Sequence, residues 1–204
     1  MQIGEIVETG SVGFVAQGRE LNRPPELGSL VKVACPGYGS TEEDRRVYGV
    51  VSFGTTTGLD PGRRAVRRSS EEVYDAAIYR EHPQLKQVLR TEFNVVLVGW
   101  AASGSIRHHL PPQPPPLHYS VRTCEPQEVR DFSERLFYLR LLLTASDQLP
   151  SEQLLAAHLR QVYQARGRDR AWLERAAREV AGLLKQDVER LLVVLQGIDP
   201  GREG

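Results

Sequence analysis

The spacing of apolar residues changes once along this chain, near residue 125, and that change limits the folds open to it. Before it, apolar residues fall in short runs of strand-like spacing, broken by glycine and proline. After it, Val129, Phe132, Leu136, Leu139 and Leu143 recur at three- and four-residue intervals, the period of an amphipathic helix. A chain with strands first and helices after belongs to the α+β class rather than to a parallel α/β sheet.

Six strands are predicted in the first part: 2–9, 12–17, 30–35, one beginning at Arg45, 93–101 and 119–124. Pro24-Pro25 cannot lie inside a sheet, because neither proline donates to a ladder. The fourth strand carries Val47, Val50, Val51 and Phe53, then passes into Gly54-Thr55-Thr56-Thr57-Gly58, expected to be a hairpin-like loop, with Asp60-Pro61-Gly62 as a turn. Ser69 and Glu72 have capping-box spacing, which predicts a helical insertion over about 69–90. The proline run Pro111-Pro112-Gln113-Pro114-Pro115-Pro116 favours extended geometry. Its interior position favours a stiff strap over a recognition peptide. The expected architecture is a small six-stranded antiparallel β-barrel with a short helical insertion over 1–123, followed by an all-α helical bundle over 124–204. In that second part, helices are predicted from Pro126, from Ser151 to Gly167 and after a cap at Asp169, with Val188–Leu195 either a fourth helix or an extension of the third.

At 204 residues, with 40% hydrophobic and 25% charged residues, the chain can bury a core without staples. Its 26 basic and 26 acidic residues balance, so nothing in the net charge calls for nucleic acid or an anionic membrane. Cys35 and Cys124 lack metal-ligand spacing and read as two reduced thiols. No apolar run reaches the length of a membrane span, and the start lacks signal-peptide character, so a cytoplasmic location is expected.

The chemistry-bearing motifs are sparse. A phosphate loop needs glycines around a Lys-Ser/Thr pair, and Gly54–Gly58 has no lysine. His108, His109, His118 and Cys124 could be written down as zinc ligands, but adjacent histidines on an extended segment point in opposite directions. No cofactor or metal is expected, and no nucleophile elbow or zinc-protease helix is visible. Two basic features remain. Arg63, Arg64, Arg67 and Arg68 follow the fourth strand, with Tyr38 and Tyr48 as the aromatics available near the loops. Arg160, Arg166, Arg168, Arg170, Arg175 and Arg178 dot the helical part, where interleaved acids can pair with them. Arginine forks suit phosphate, but an ion-paired or solvated face is the plainer reading of both.

Ile3-Gly4-Glu5-Ile6-Val7, Phe14-Val15-Ala16-Gln17, Pro24-Pro25-Glu26-Leu27-Gly28-Ser29-Leu30-Val31-Lys32-Val33 and Tyr48-Gly49-Val50-Val51 carry a resemblance. Residues 1–123 resemble a HAS-barrel domain, the N-terminal barrel of HerA-type DNA-translocating ATPases and of rotary ATP synthase subunits. The resemblance implies side-by-side assembly of barrels, or docking of a partner. It does not extend to a motor domain, since helices stand where a Walker loop would follow. The expectation is a non-enzymatic assembly or adaptor protein that contacts copies of itself or a HerA-like ATPase. The second expectation is a nucleic-acid-binding module working through Arg63, Arg64, Arg67 and Arg68.

Overall fold

The computed structural model describes residues 1–36, 45–60, 64–144 and 149–198. Its first part is a closed six-stranded antiparallel barrel. The strands are β1 (Gln2–Thr9), β2 (Gly13–Gly18), β3 (Leu30–Cys35), β4 (Arg45–Gly58), β5 (Leu89–Ala102) and, after a short β6 (Ser105–Arg107), β7 (Ser120–Thr123). Their order is β2-β1-β7-β3-β4-β5, and β5 pairs back with β2 to close the barrel, leaving β6 on the outside of β5. Closure removes the open edges that would otherwise pair with other chains.

Alternation along the strands sorts the side chains into two cores. Inside the barrel lie Ile6, Phe14, Ala16, Val31, Val33, Val47, Val51, Phe93, Val95, Leu97 and Val121. The opposite faces of β3, β4 and β5 place Leu30, Tyr48, Val50, Val96 and Val98 in a second cluster, shared with the helices. Gly49 sits at a register shift between β4 and β5, where a Cβ would overlap Cγ1 of Val95. Only glycine lets the strands approach there.

Two strand readings are corrected. Gly54–Gly58 is not a loop: it continues β4 and pairs residue by residue with Phe93 back to Leu89. Three successive threonines suit a strand, and this outweighs the flanking glycines. β6 was not expected; it folds back through Ser103 and Gly104, both at positive φ, which is what a two-residue hairpin turn requires. The proline run packs on the barrel, with Pro111 and Pro115 buried and the Pro115 carbonyl accepting from the Thr9 hydroxyl at 2.7 Å.

The insertion is less helical than predicted. Ser69 starts no helix; instead Ser70 Oγ accepts from the Val73 amide at 3.1 Å, a local turn that competes with helix formation. Two short helices follow, α1 (Ala76–Glu81) and α2 (Leu85–Val88). After the barrel come α3 (Pro126–Phe132), α4 (Leu139–Leu143), α5 (Ser151–Ala165), α6 (Arg170–Leu183) and α7 (Val188–Gly197). The single helix suggested by the spacing from Val129 to Leu143 is two helices. The break lets Phe132 and Tyr138 both face the barrel wall, with ring centroids 4.9 Å apart. Asp169 and Asp187 cap α6 and α7, accepting from Trp172 and Arg190 amides. α3 opens with a reciprocal capping box between Glu125 and Glu128.

The helices bury their apolar faces against the barrel as well as against each other. Phe132, Tyr138, Leu139, Leu154, Leu155, Leu159 and Trp172 share one cluster with Tyr48, Val50, Val96 and Val98. Burying such side chains contributes roughly 1.5–3 kcal/mol each. The outer face of β7, β1 and β2 stays uncovered and polar, with Gln2, Glu5, Gln17 and Arg122 exposed. No helix among the described residues is long and apolar enough to cross a membrane.

Candidate functional site

β4 and β5 run past the rest of the barrel as a two-stranded ribbon, Thr56–Gly58 against Leu89–Thr91. Thr91 anchors its base. The Thr91 hydroxyl lies 2.8 Å from that of Thr56 and accepts from the Asn22 amide at 2.7 Å. Asn22 Nδ2 in turn donates to the Tyr79 hydroxyl at 2.7 Å, tying α1 to the loop before β3. At the ribbon tip the Leu59 amide donates to the Val88 carbonyl at 3.0 Å.

Between this ribbon and the strap that begins at Arg64 lies a cleft of about 540 Å³. Leu59, Val66, Ile78, Leu85 and Val88 make it largely apolar. Leu85 is buried at its floor, whereas Leu59, Val66 and Val88 are 50%, 67% and 49% exposed. Arg64 and Arg68 border it, and neither makes an ion pair among the described residues. Arg67 is exposed beside them and donates from Nε to Ser69 Oγ at 2.9 Å. Asp60, an acid of the lining, is engaged in an interaction of its own. The backbone over 64–69 makes no backbone hydrogen bond among the described residues.

The sequence-predicted surface residues are thus divided. Arg64 and Arg68 are exposed at the cleft, and Arg67 is exposed next to them in the chain. Arg63 and Tyr38 lie outside the described residues. Tyr48 does not belong to any surface: it is 3% exposed and tilts against Phe132 at 4.8 Å. Burial pushes its hydroxyl up to about 12, against the lowering influence of Arg46. The spacing of β4 misled because Tyr48 faces outward from the barrel, where the helices cover it. Four of the six helical arginines are engaged, in part as the sequence suggested. Arg166 bonds Glu134 and Ser133, Arg175 bonds Glu134, and Arg178 bonds Glu174. Arg160 donates to the Gly197 carbonyl.

The histidines go to separate places. His118 Nδ1 meets Glu5 at 2.8 Å, and His109 makes an edge contact with Trp100. His108 packs on Phe132 and Tyr138, and its Nε2 lies 3.0 Å from the Phe132 carbonyl. Burial holds His108 below its ordinary value. Among the described residues no three His, Cys, Asp or Glu side chains are placed to hold a metal. Cys124 donates its amide to Leu30, whereas Cys35 ends the same strand five positions on, about 16 Å away at ~3.3 Å per residue. Both thiols are free. Burial pushes them up to about 11 and about 12, which makes them poor nucleophiles.

His158 is the buried polar group that periodicity hides. It is fully buried on α5; its Nδ1 lies 2.7 Å from the Gly28 carbonyl, and its Nε2 3.0 Å from the Tyr138 hydroxyl. A carbonyl only accepts, so Nδ1 carries the proton and Tyr138 donates to Nε2. Burial lowers the imidazole to about 4. The ring is therefore neutral and satisfied, a joint rather than a base.

Comparison with models of known families finds no match, and comparison with curated proteins finds none either.

Proposed function

We propose that the protein is a non-enzymatic assembly or adaptor protein whose barrel carries protein–protein contact, either to copies of itself or to the barrel of a HerA-like ATPase. The observation that carries this reading is the projecting insertion. Leu59, Val66 and Val88 are exposed around one apolar cleft, beside arginines that have no acidic partner among the described residues. Clustered apolar surface of this kind, rimmed by polar groups, marks a contact site rather than ordinary surface variation. The resemblance of residues 1–123 to HAS-barrels supplies the class of partner, because such barrels sit side by side. The helical bundle expected after the barrel would offer a second contact surface on the far side of β3, β4 and β5.

Size-exclusion chromatography with light scattering tests it, alone and mixed with a HerA-type ATPase. The expected result is a self-assembled species or a mixed complex. A strict monomer that does not co-elute with the ATPase overturns it.

Nucleic acid is the second reading, and the exposure of Arg64, Arg67 and Arg68 is the observation in its favour. It requires affinity for single strands or duplex that falls steeply with salt. The apolar cleft beside those arginines has no role in it.

A further inference from the structure

We infer that the cleft between α1, α2 and the 64–68 strap is a docking groove for an acidic, apolar-anchored segment of a partner protein, bound as an extended chain. The inference deepens the assembly reading and rests on it. Three independent properties of the groove select this occupant.

The first is shape and polarity. A volume of about 540 Å³ lined by Leu59, Val66, Ile78, Leu85 and Val88 fits a few aliphatic side chains. The second is charge. Arg64 and Arg68 stand on the border with no ion pair among the described residues, and Arg67 is exposed next to them. Guanidinium forks bind carboxylates in two-bond pairs, so the complementary ligand carries Asp or Glu beside its apolar anchors. A nucleic-acid backbone would meet the arginines too, but it offers nothing to fill the apolar floor. The third is the backbone. Over 64–69 the strap makes no backbone hydrogen bond among the described residues, and these positions lie at the surface. Unpaired N–H and C=O groups beside a groove are what strand addition uses: main-chain bonds give affinity, and pockets for alternate side chains give specificity. Alternating acidic and apolar residues then place apolar side chains in the cleft and carboxylates toward the arginines.

The test uses the full chain and fluorescein-labelled peptides. The probe is a short peptide of alternating leucine and glutamate. Its controls are the same peptide with lysine for glutamate, the same with serine for leucine, and a labelled single-stranded oligonucleotide. The leucine–glutamate peptide is expected to bind, with both peptide controls at least ~10-fold weaker. Arg64→Glu combined with Arg68→Glu, and separately Val66→Asp, should each weaken binding by ~10-fold or more while circular dichroism stays unchanged. Backbone amides over 64–69 should gain hydrogen-exchange protection in the complex. Failure of the leucine–glutamate peptide to bind, equal binding of either peptide control, or binding untouched by the folded variants overturns the inference. So does an oligonucleotide that binds more tightly and displaces the peptide. Light scattering separates this from the broader reading. Assembly that survives the Arg64→Glu, Arg68→Glu variant removes the groove from it and leaves assembly standing, whereas peptide binding by a chain that never assembles does the reverse.

Discussion

His158 Nδ1 donates to the carbonyl oxygen of Gly28 at 2.7 Å, joining α5 to the barrel across 130 positions of sequence. Gly28 holds that carbonyl in place at φ +83°, while its amide donates to Val51 at 2.8 Å. A Cβ at this position would overlap the backbone of Ala157 and His158. Gly28→Ala therefore combines left-handed strain with a backbone clash, and should cost about 3 kcal/mol of stability, read from the urea midpoint.

Acid should loosen the same joint. The folded-state imidazole is depressed to about 4 from an ordinary 6.5, so the unfolded chain takes up its proton first. Its stabilising contribution is complete above about pH 6.5, falls as pH drops, and is lost by about pH 4, a total of roughly 3 kcal/mol. Urea titrations of His158→Gln against the parent chain should show a shallower pH dependence in that window. Tyr138→Phe strips the donor from Nε2 and should lower stability by about 1–3 kcal/mol at neutral pH.

Glu128 ties α3 to the barrel. It accepts from Lys32 at 2.5 Å and from Arg46 at 3.5 Å, and it closes the capping box on the Glu125 amide. Burial raises its carboxyl, but Lys32, the Glu125 amide and Arg46 outweigh that and hold it below its ordinary value. Glu128→Gln loses the charge and keeps the shape, and should lower stability by about 1 kcal/mol at pH 7. The difference from the parent should vanish as pH falls through the folded-state carboxyl range.

Leu59→Asp and Val88→Asp put charge on side chains that are half exposed at the ribbon tip. Thermal unfolding should change by no more than about 0.5 kcal/mol in either variant. On the assembly proposal, the mass measured by light scattering should nevertheless fall toward the monomer.

Both thiols should react slowly with iodoacetamide at pH 8 in the folded chain and rapidly in urea, because burial raises them to about 11 and about 12. Labelling of Cys35 or Cys124 at the unfolded rate without denaturant would contradict this.

Most of the barrel was legible because strand alternation is a local signal. β1, β3 and the cap at Asp169 lie where residue type alone puts them. Two kinds of feature were not. Gly54–Gly58 reads as a loop by composition, and only pairing with Leu89–Phe93 makes it strand. Tyr48 and His158 depend on what another segment covers: the same outward-facing tyrosine would be a surface residue on a bare barrel, and a histidine on a helix face gives no sign that Gly28 waits opposite. At the candidate site the arginines were visible in sequence. The cleft beside them was not, since it brings Leu59, Val66, Ile78 and Val88 together across an insertion whose helices are short and irregular.

The hydrogen bond between Leu59 and Val88 makes the two ends of that insertion neighbours. The ribbon's own strand pairing involves none of the described residues between them, which are also tied to the loop before β3 through Tyr79 and Asn22. Replacing residues 60–87 by a two-residue turn should leave a barrel that still folds and that, on the docking proposal, no longer binds the leucine–glutamate peptide. Under the docking proposal, a change of partner needs changes in one excursion only, and the packing of both cores is left alone.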